Sequence, residues 1–237
     1  MPDPSIATHD TRTQVPSIRP GWPEIVVSLL GVLIVGLAGG AGLAQMGLSP
    51  IVLGLIFTAL SGIGGMAGFG AAFLLRIRSW SAFGIRPTTR HWLAIGASLG
   101  VCAFIAKGLA ILAYISLTGD ERAIQGIYAE GASGGIWTAI AATFFLSFIT
   151  PVGEEFLFRG VITTALLRYG AFTGVIGGAL IFALFHGLNV VFPAALIVGL
   201  AAGEVFRRSG SIWPAVTLHA VVNLPTIPVM ILANRAA

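Results

Sequence analysis

Charge is scarce in this sequence. Only 9% of its 237 residues are Asp, Glu, Lys or Arg, against about 25% in an average soluble domain. So little charge cannot cover a water-facing surface, which excludes an ordinary soluble globule. Cysteine is nearly absent too. The single Cys102 lies inside an apolar block, so no internal disulfide can form and the redox compartment stays open. There is no Lys/Arg cluster beyond Arg207-Arg208. The net charge of +4 therefore sits in loops between apolar blocks and does not call for a nucleic-acid partner. Residues 1–23 lack the apolar core and cleavage site of a signal peptide. They are polar, carry Pro2, Pro4, Pro16, Pro20 and Pro23, and read as a disordered tail. The first apolar block then acts as an uncleaved insertion signal.

What the sequence does have is apolar length, with 56% hydrophobic residues and 32 glycines. No charged residue falls between Glu24 and Arg76, a stretch long enough for two spans at about 20 residues each. Splitting at charges and turn residues gives seven expected spans: 25–46, 51–75, 92–117, 136–168, 172–188, 191–206 and 213–233. The fold class is therefore all-α, a polytopic membrane protein of about seven transmembrane helices. Arg76, Arg78, Arg86 and Arg90 fill the loop 76–91 without an acid, whereas 118–135 holds Asp120, Glu121, Arg122 and Glu130. Positive-inside logic puts the first loop in the cytoplasm and the second outside. Alternation then places Arg12, Arg19, Arg168, Arg207 and Arg208 inside, so that every short basic segment except Arg235 at the extreme end lands on the same side. The expected location is a cell membrane with the N-terminus cytoplasmic, and the small size and short loops suggest a bacterial one.

The fourth block exceeds a straight span, and Pro151 with Gly153 is the expected kink. Gly36-x-x-x-Gly40 and Gly64-x-x-x-Gly68 allow close helix approach. Internal packing is the expected use, a dimer interface the alternative, and the oligomeric state stays open. No internal repeat supports an inverted-repeat transporter.

Ionisable residues inside membrane blocks are costly, so they mark the place to look for chemistry. The second half holds Glu154, Glu155, Arg159, His186, Glu204 and His219, with Asn223 beside them. Arg159 follows Glu155 by four, the order of a helical ion pair. That pairing leaves Glu154 as the free acid and the candidate base. Glu154 and His186 lie equally far from the turn at Tyr169-Gly170-Ala171, so an antiparallel hairpin brings them to one depth. His219 and Asn223 share a helix face. His219 lies near the start of its span, so a tilted or indented helix is needed to bring it level. A carboxylate taken out of water suits proton abstraction, a neighbouring histidine can orient the water or act as general acid, and His219 with Asn223 offers donors to an oxyanion. Two histidines and a carboxylate are equally a zinc ligand set with one open position: Glu154, His186 and His219.

Glu154-Glu155-x-x-x-Arg159, Phe182-x-x-x-His186 and His219-x-x-x-Asn223, in that order, resemble the CPBP intramembrane proteases (CAAX proteases and bacteriocin-processing enzymes). The surroundings agree: Glu-Glu-Phe-Leu-Phe-Arg-Gly from Glu154, and Gly-Ser-Ile-Trp-Pro-Ala leading to His219. The resemblance covers about residues 134–232. The N-terminal transmembrane helices, over 24–133, match only in being hydrophobic; the resemblance implies a catalytic membrane domain over 134–237 with a four-helix core. It implies an endopeptidase in which Glu154, His186, His219 and Asn223 are catalytic and Glu155 and Arg159 support them. Phe182 is expected to pack against the site. Members are labelled metalloproteases, and a metal-free glutamate-activated water is also proposed for them. Without the His-Glu-x-x-His helix of zincins, the metal-free form is preferred here and zinc is the alternative cofactor. The implied partners are a hydrophobic or prenylated peptide and the lipid bilayer. A non-catalytic immunity-type protein and a transporter or proton relay are the alternative functions.

Three more expectations concern single residues. Lys107 snorkels to the interface or pairs with an acid. Glu204 pairs with Arg208. Trp80, Trp92 and Trp213 form an interfacial aromatic belt.

Overall fold

The computed structural model describes residues 19–120 and 126–236. The expected tail therefore lies mostly outside the described residues, as do Arg12, Glu121 and Arg122. Among the described residues every regular element is helical: α1 Trp22–Gln45, α2 Pro50–Leu75, α3 Arg90–Thr118, α4 Gly126–Ala132, α5 Ile136–Tyr169, α6 Thr173–Phe185, α7 Phe192–Ser209, α8 Trp213–Asn223 and α9 Thr226–Ala236. Five stretches are long and apolar enough to cross a membrane: α1, α2, α3, α5 and the α8–α9 run Trp213–Ala233. The chain is a multi-pass membrane protein. The other two expected spans are helices of a different kind. α6 is a shorter apolar helix, and α7 ends in Glu204, Arg207 and Arg208.

The boundaries have local causes. Pro50 opens α2 behind a Ser49 cap whose hydroxyl accepts from the Val52 amide, and Thr89 caps α3 by accepting from Trp92. Gly119 and Gly210 stop α3 and α7 at φ +69° and +65°, the left-handed conformation that glycine adopts without strain. α1 and α2 pack as a hairpin whose outer ends are tied by charge. The two residues that bound the uncharged stretch meet, Arg76 Nε lying 2.6 Å from Glu24 Oε1 and Arg76 Nη2 3.0 Å from Glu24 Oε2. Glu24 also accepts the Gly21 amide at 2.7 Å.

α5 is the central element. Its first half carries apolar side chains outward, with Trp137 79% exposed, whereas residues 156–163 are buried on every side, as expected for a helix surrounded by others. Pro151, which has no N–H to donate, follows directly on a π-helical turn at Phe145–Ile149. A second π-helical stretch spans Phe156–Thr163. Widened turns, frequent at functional sites, thus flank the Glu-Glu pair, and the helix runs on through the residues expected to kink it.

Glycine lets α2 reach that point. A Cβ on Gly153 would run into the backbone of Gly62, and one on Gly65 into the carbonyl of Gly153. α2 and α5 therefore touch backbone to backbone beside Glu154. Gly64 and Gly68 serve α1–α2 packing: a Cβ there would meet Val32 at 3.0 Å and the Ser28 carbonyl at 2.5 Å. Gly36 and Gly40 have nothing within 4 Å, so only one of the two spaced glycine pairs packs internally. α8 lies against α3 and α7, and α6 against α7, which brings the motif-bearing helices together around the second half of α5.

Candidate functional site

Glu154, His186, His219 and Asn223 line one cavity of about 260 Å³, together with Phe182. Each gets there by a different local device. Glu154 and Glu155 sit on the short α-helical segment Thr150–Glu155 between the two π-helical turns, and both are buried. His186 is the residue after α6, where the chain turns through Gly187 at φ +87°. His219 and Asn223 are one turn apart on α8. This helix starts beneath a loop tied to the 76–91 segment, since Ser211 Oγ donates to the Arg86 carbonyl at 2.7 Å and the Ile212 amide to Gly84 at 2.9 Å. α8 therefore begins inside the protein, and His219 is 95% buried. Its contact with the Glu-Glu pair answers the question of depth that its sequence position raised.

The carboxylates differ in what they meet. Glu155 Oε2 lies 3.0 Å from Arg159 Nε, the expected ion pair. Glu155 Oε1 lies 2.8 Å from His219 Nδ1, a partnership the sequence did not suggest. Arg159 also points Nη2 at the Gly199 carbonyl, 3.4 Å away, and stacks 4.7 Å over the Phe182 ring. Phe182 thus packs between the ion pair and both histidines, with ring centroids 4.6 Å from His186 and 5.8 Å from His219. Glu154 has no charged partner within hydrogen-bond reach. Its Oε2 is buried without a protein partner and stands 3.8 Å from His219 Nε2.

Partner chemistry fixes the proton positions on both rings. His186 Nδ1 lies 2.9 Å from the Phe182 carbonyl. A carbonyl only accepts, so Nδ1 carries the proton and Nε2 keeps its lone pair. Glu155 Oε1 likewise accepts Nδ1–H of His219, leaving Nε2 toward Glu154. Asn223 Nδ2 donates one N–H to the Leu146 carbonyl at 3.1 Å, in the first π-helical turn, and has a second N–H to offer.

Lys107 departs from expectation. It neither snorkels nor pairs with an acid. Its Nζ reaches the Val222 carbonyl and Thr226 Oγ1, each at 3.2 Å, and it lines the same cavity. Tyr128, Ser61 and Thr150 also line the wall. Only the oddity of a lysine in an apolar block signalled any of these four. Glu204, outside the cavity, pairs with Arg208 as expected and with Arg207 as well, at 2.5 and 2.7 Å. Trp80 packs on Phe73 with ring centroids 4.7 Å apart and the planes tilted by 35°, while remaining half exposed.

The zinc alternative requires Glu154, His186 and His219 to meet at one point. Among the described residues no three His, Cys, Asp or Glu side chains are grouped closely enough to hold a metal ion. Both histidines hold Nδ1 against an oxygen acceptor and leave Nε2 open, as metal-binding histidines also do.

One comparison with known proteins matches this part of the chain. No curated protein and no solved structure matches the chain. The model of the family described as type II CAAX prenyl endopeptidase Rce1-like matches residues 136–225, from the start of α5 to just past α8. Every motif residue from Glu154 to Asn223 falls inside that range, and the chain thus carries an Rce1-like domain of the CPBP/CAAX protease family over residues 136–225.

Proposed function

We propose that the protein is an intramembrane endopeptidase that cleaves a hydrophobic or prenylated peptide with a water activated by Glu154. The observation that carries this reading is the division of labour between the two glutamates. Glu155 is committed to Arg159 and His219, while Glu154 stands at the cavity wall with an oxygen free of protein partners.

In this mechanism Glu154 takes a proton from water as the water oxygen attacks the scissile carbonyl carbon. His186 Nε2, with its lone pair held toward the cavity, accepts the second O–H and orients the nucleophile. Charge developing on the carbonyl oxygen is met by the free N–H of Asn223 and by Nε2–H of a protonated His219. Glu155 stabilises that imidazolium through Nδ1–H, as a carboxylate does behind a catalytic histidine. When the C–N bond breaks, the proton held on Glu154 passes to the leaving amine. No step requires a metal ion. The apolar faces of Phe182, Phe185, Val198 and Val222 in the cavity wall suit a peptide end that carries a hydrocarbon chain.

The test in cells compares membrane peptides from a strain carrying the wild-type chain with one carrying Glu154→Gln. The expected result is a longer, uncut peptide that accumulates only in the variant. An identical peptide set, with biological activity retained by the variant, overturns the protease reading and favours an immunity-type role.

A further inference from the structure

The second cavity in the protein lies at the far end of α5 from the Glu-Glu pair. It measures about 730 Å³, and its walls carry Arg19, Arg76, Arg78, Arg86, Arg168 and Arg207 with no Asp or Glu among them. The arginines come from four separate stretches of chain, so their convergence is a product of the fold. Two are neutralised, Arg76 by Glu24 and Arg207 by Glu204. Arg86 and Arg168 spend donors on the carbonyls of Gly210 and Pro20, which hold the guanidinium groups in place without offsetting their charge. Arg19 and Arg78 make no hydrogen bond or ion pair through their side chains among the described residues. Four cations around one cleft with no acidic partner among the described residues repel each other, and a bound anion would relieve that repulsion.

Its depth identifies the kind of anion. The starts of α1, α3 and α8 and the ends of α2 and α5 all lie at this side of the bundle, where Arg86 joins Gly210 and Arg168 joins Pro20. Trp22, Trp80 and Tyr169, each more than half exposed, ring the same level, and Trp22 Nε1 donates to the Tyr169 hydroxyl at 2.9 Å. Tryptophan and tyrosine at span ends mark the headgroup layer. The same walls also carry the apolar side chains of Ile77, Leu167 and Phe206. Guanidinium groups pair readily with phosphate oxygens.

We infer that this six-arginine cleft is a binding site for the phosphate headgroup of an anionic phospholipid, separate from the catalytic cavity. A basic pocket between helix ends, at the level of exposed Trp and Tyr side chains and with apolar side chains in its walls, has the make-up that retains such lipids.

The experiment titrates phosphatidylglycerol into the full-length protein in a neutral detergent and reads the thermal unfolding midpoint, with phosphatidylcholine and free glycerophosphate as parallel arms at equal ionic strength. The expected result is a saturable rise with phosphatidylglycerol and none with phosphatidylcholine. Arg19→Gln/Arg78→Gln removes two charges and no hydrogen bond, and should weaken binding by roughly tenfold or more. Arg90→Gln, a basic residue of the same loop outside the cleft, should leave it unchanged. The double variant should match the wild-type midpoint before lipid is added, and native mass spectrometry reads retained lipid independently if it does not. Equal response to phosphatidylcholine, or unchanged affinity in the double variant, overturns the site. An equal saturable rise with glycerophosphate overturns the lipid assignment in favour of a soluble phosphate ester.

Discussion

Glu155 is shared between an arginine and a histidine, and the consequences of removing each partner differ. All three side chains are buried. Arg159→Met leaves Glu155 as an uncompensated charge in the core, and should cost about 3–5 kcal/mol of unfolding free energy, measured by denaturation in detergent. Adding Glu155→Gln removes that charge and should restore much of the loss. Hydrolysis should not recover with it, because an amide at position 155 no longer stabilises a protonated His219. If stability and activity recover together, the Glu155–His219 contact has no role in the chemistry. The ligand arithmetic gives a second prediction at this scale. With Glu154, His186 and His219 not arranged as a metal set, hydrolysis should survive exhaustive treatment with strong zinc chelators. Loss of activity that zinc alone restores would reverse that reading.

At the level of elements, the glycine content finds particular uses. Gly153→Ala should destabilise by at least the 1–3 kcal/mol typical of overpacking, because its new methyl group meets the Gly62 backbone, which cannot move aside as a side chain can. Gly36→Ala, facing open space, should be neutral or slightly stabilising in the α1 interior. Parallel unfolding curves check both, and equal effects would contradict the assigned α2–α5 contact. The same elements show what sequence could convey. Apolar block length and the charges between blocks locate α1, α2, α3 and α5 well, since a bilayer imposes those two features directly. The i,i+4 pair Glu155–Arg159 is legible because helix geometry alone creates it. The His219–Glu155 bond is not, because 64 residues separate the partners and only the packing of α8 on α5 joins them. The partners of Lys107 are hidden for the same reason, since Val222 and Thr226 lie 115 and 119 residues away. The widened turns around the Glu-Glu pair leave no sequence signal beyond Pro151.

For the molecule as a whole, the scarcity of charge now separates into three uses. Glu24–Arg76 closes the α1–α2 hairpin, five further arginines gather at the same end of the bundle, and a few groups stay in the apolar interior around one cavity. The topology is open to direct test. With Cys102 replaced, cysteines introduced by Ser79→Cys and Arg208→Cys should react with an impermeant thiol reagent from one side of the membrane, and Thr118→Cys from the other. Labelling of all three from the same side would contradict the arrangement of the spans. The central claim, that an unpaired Glu154 drives peptide hydrolysis within the membrane, is tested most directly with purified protein reconstituted in lipid and a prenylated C-terminal peptide as substrate. The wild-type chain should release the terminal fragment, and Glu154→Gln should lower the rate by about 10²–10⁴-fold with the unfolding midpoint preserved. Cleavage by the variant at the wild-type rate would contradict the account.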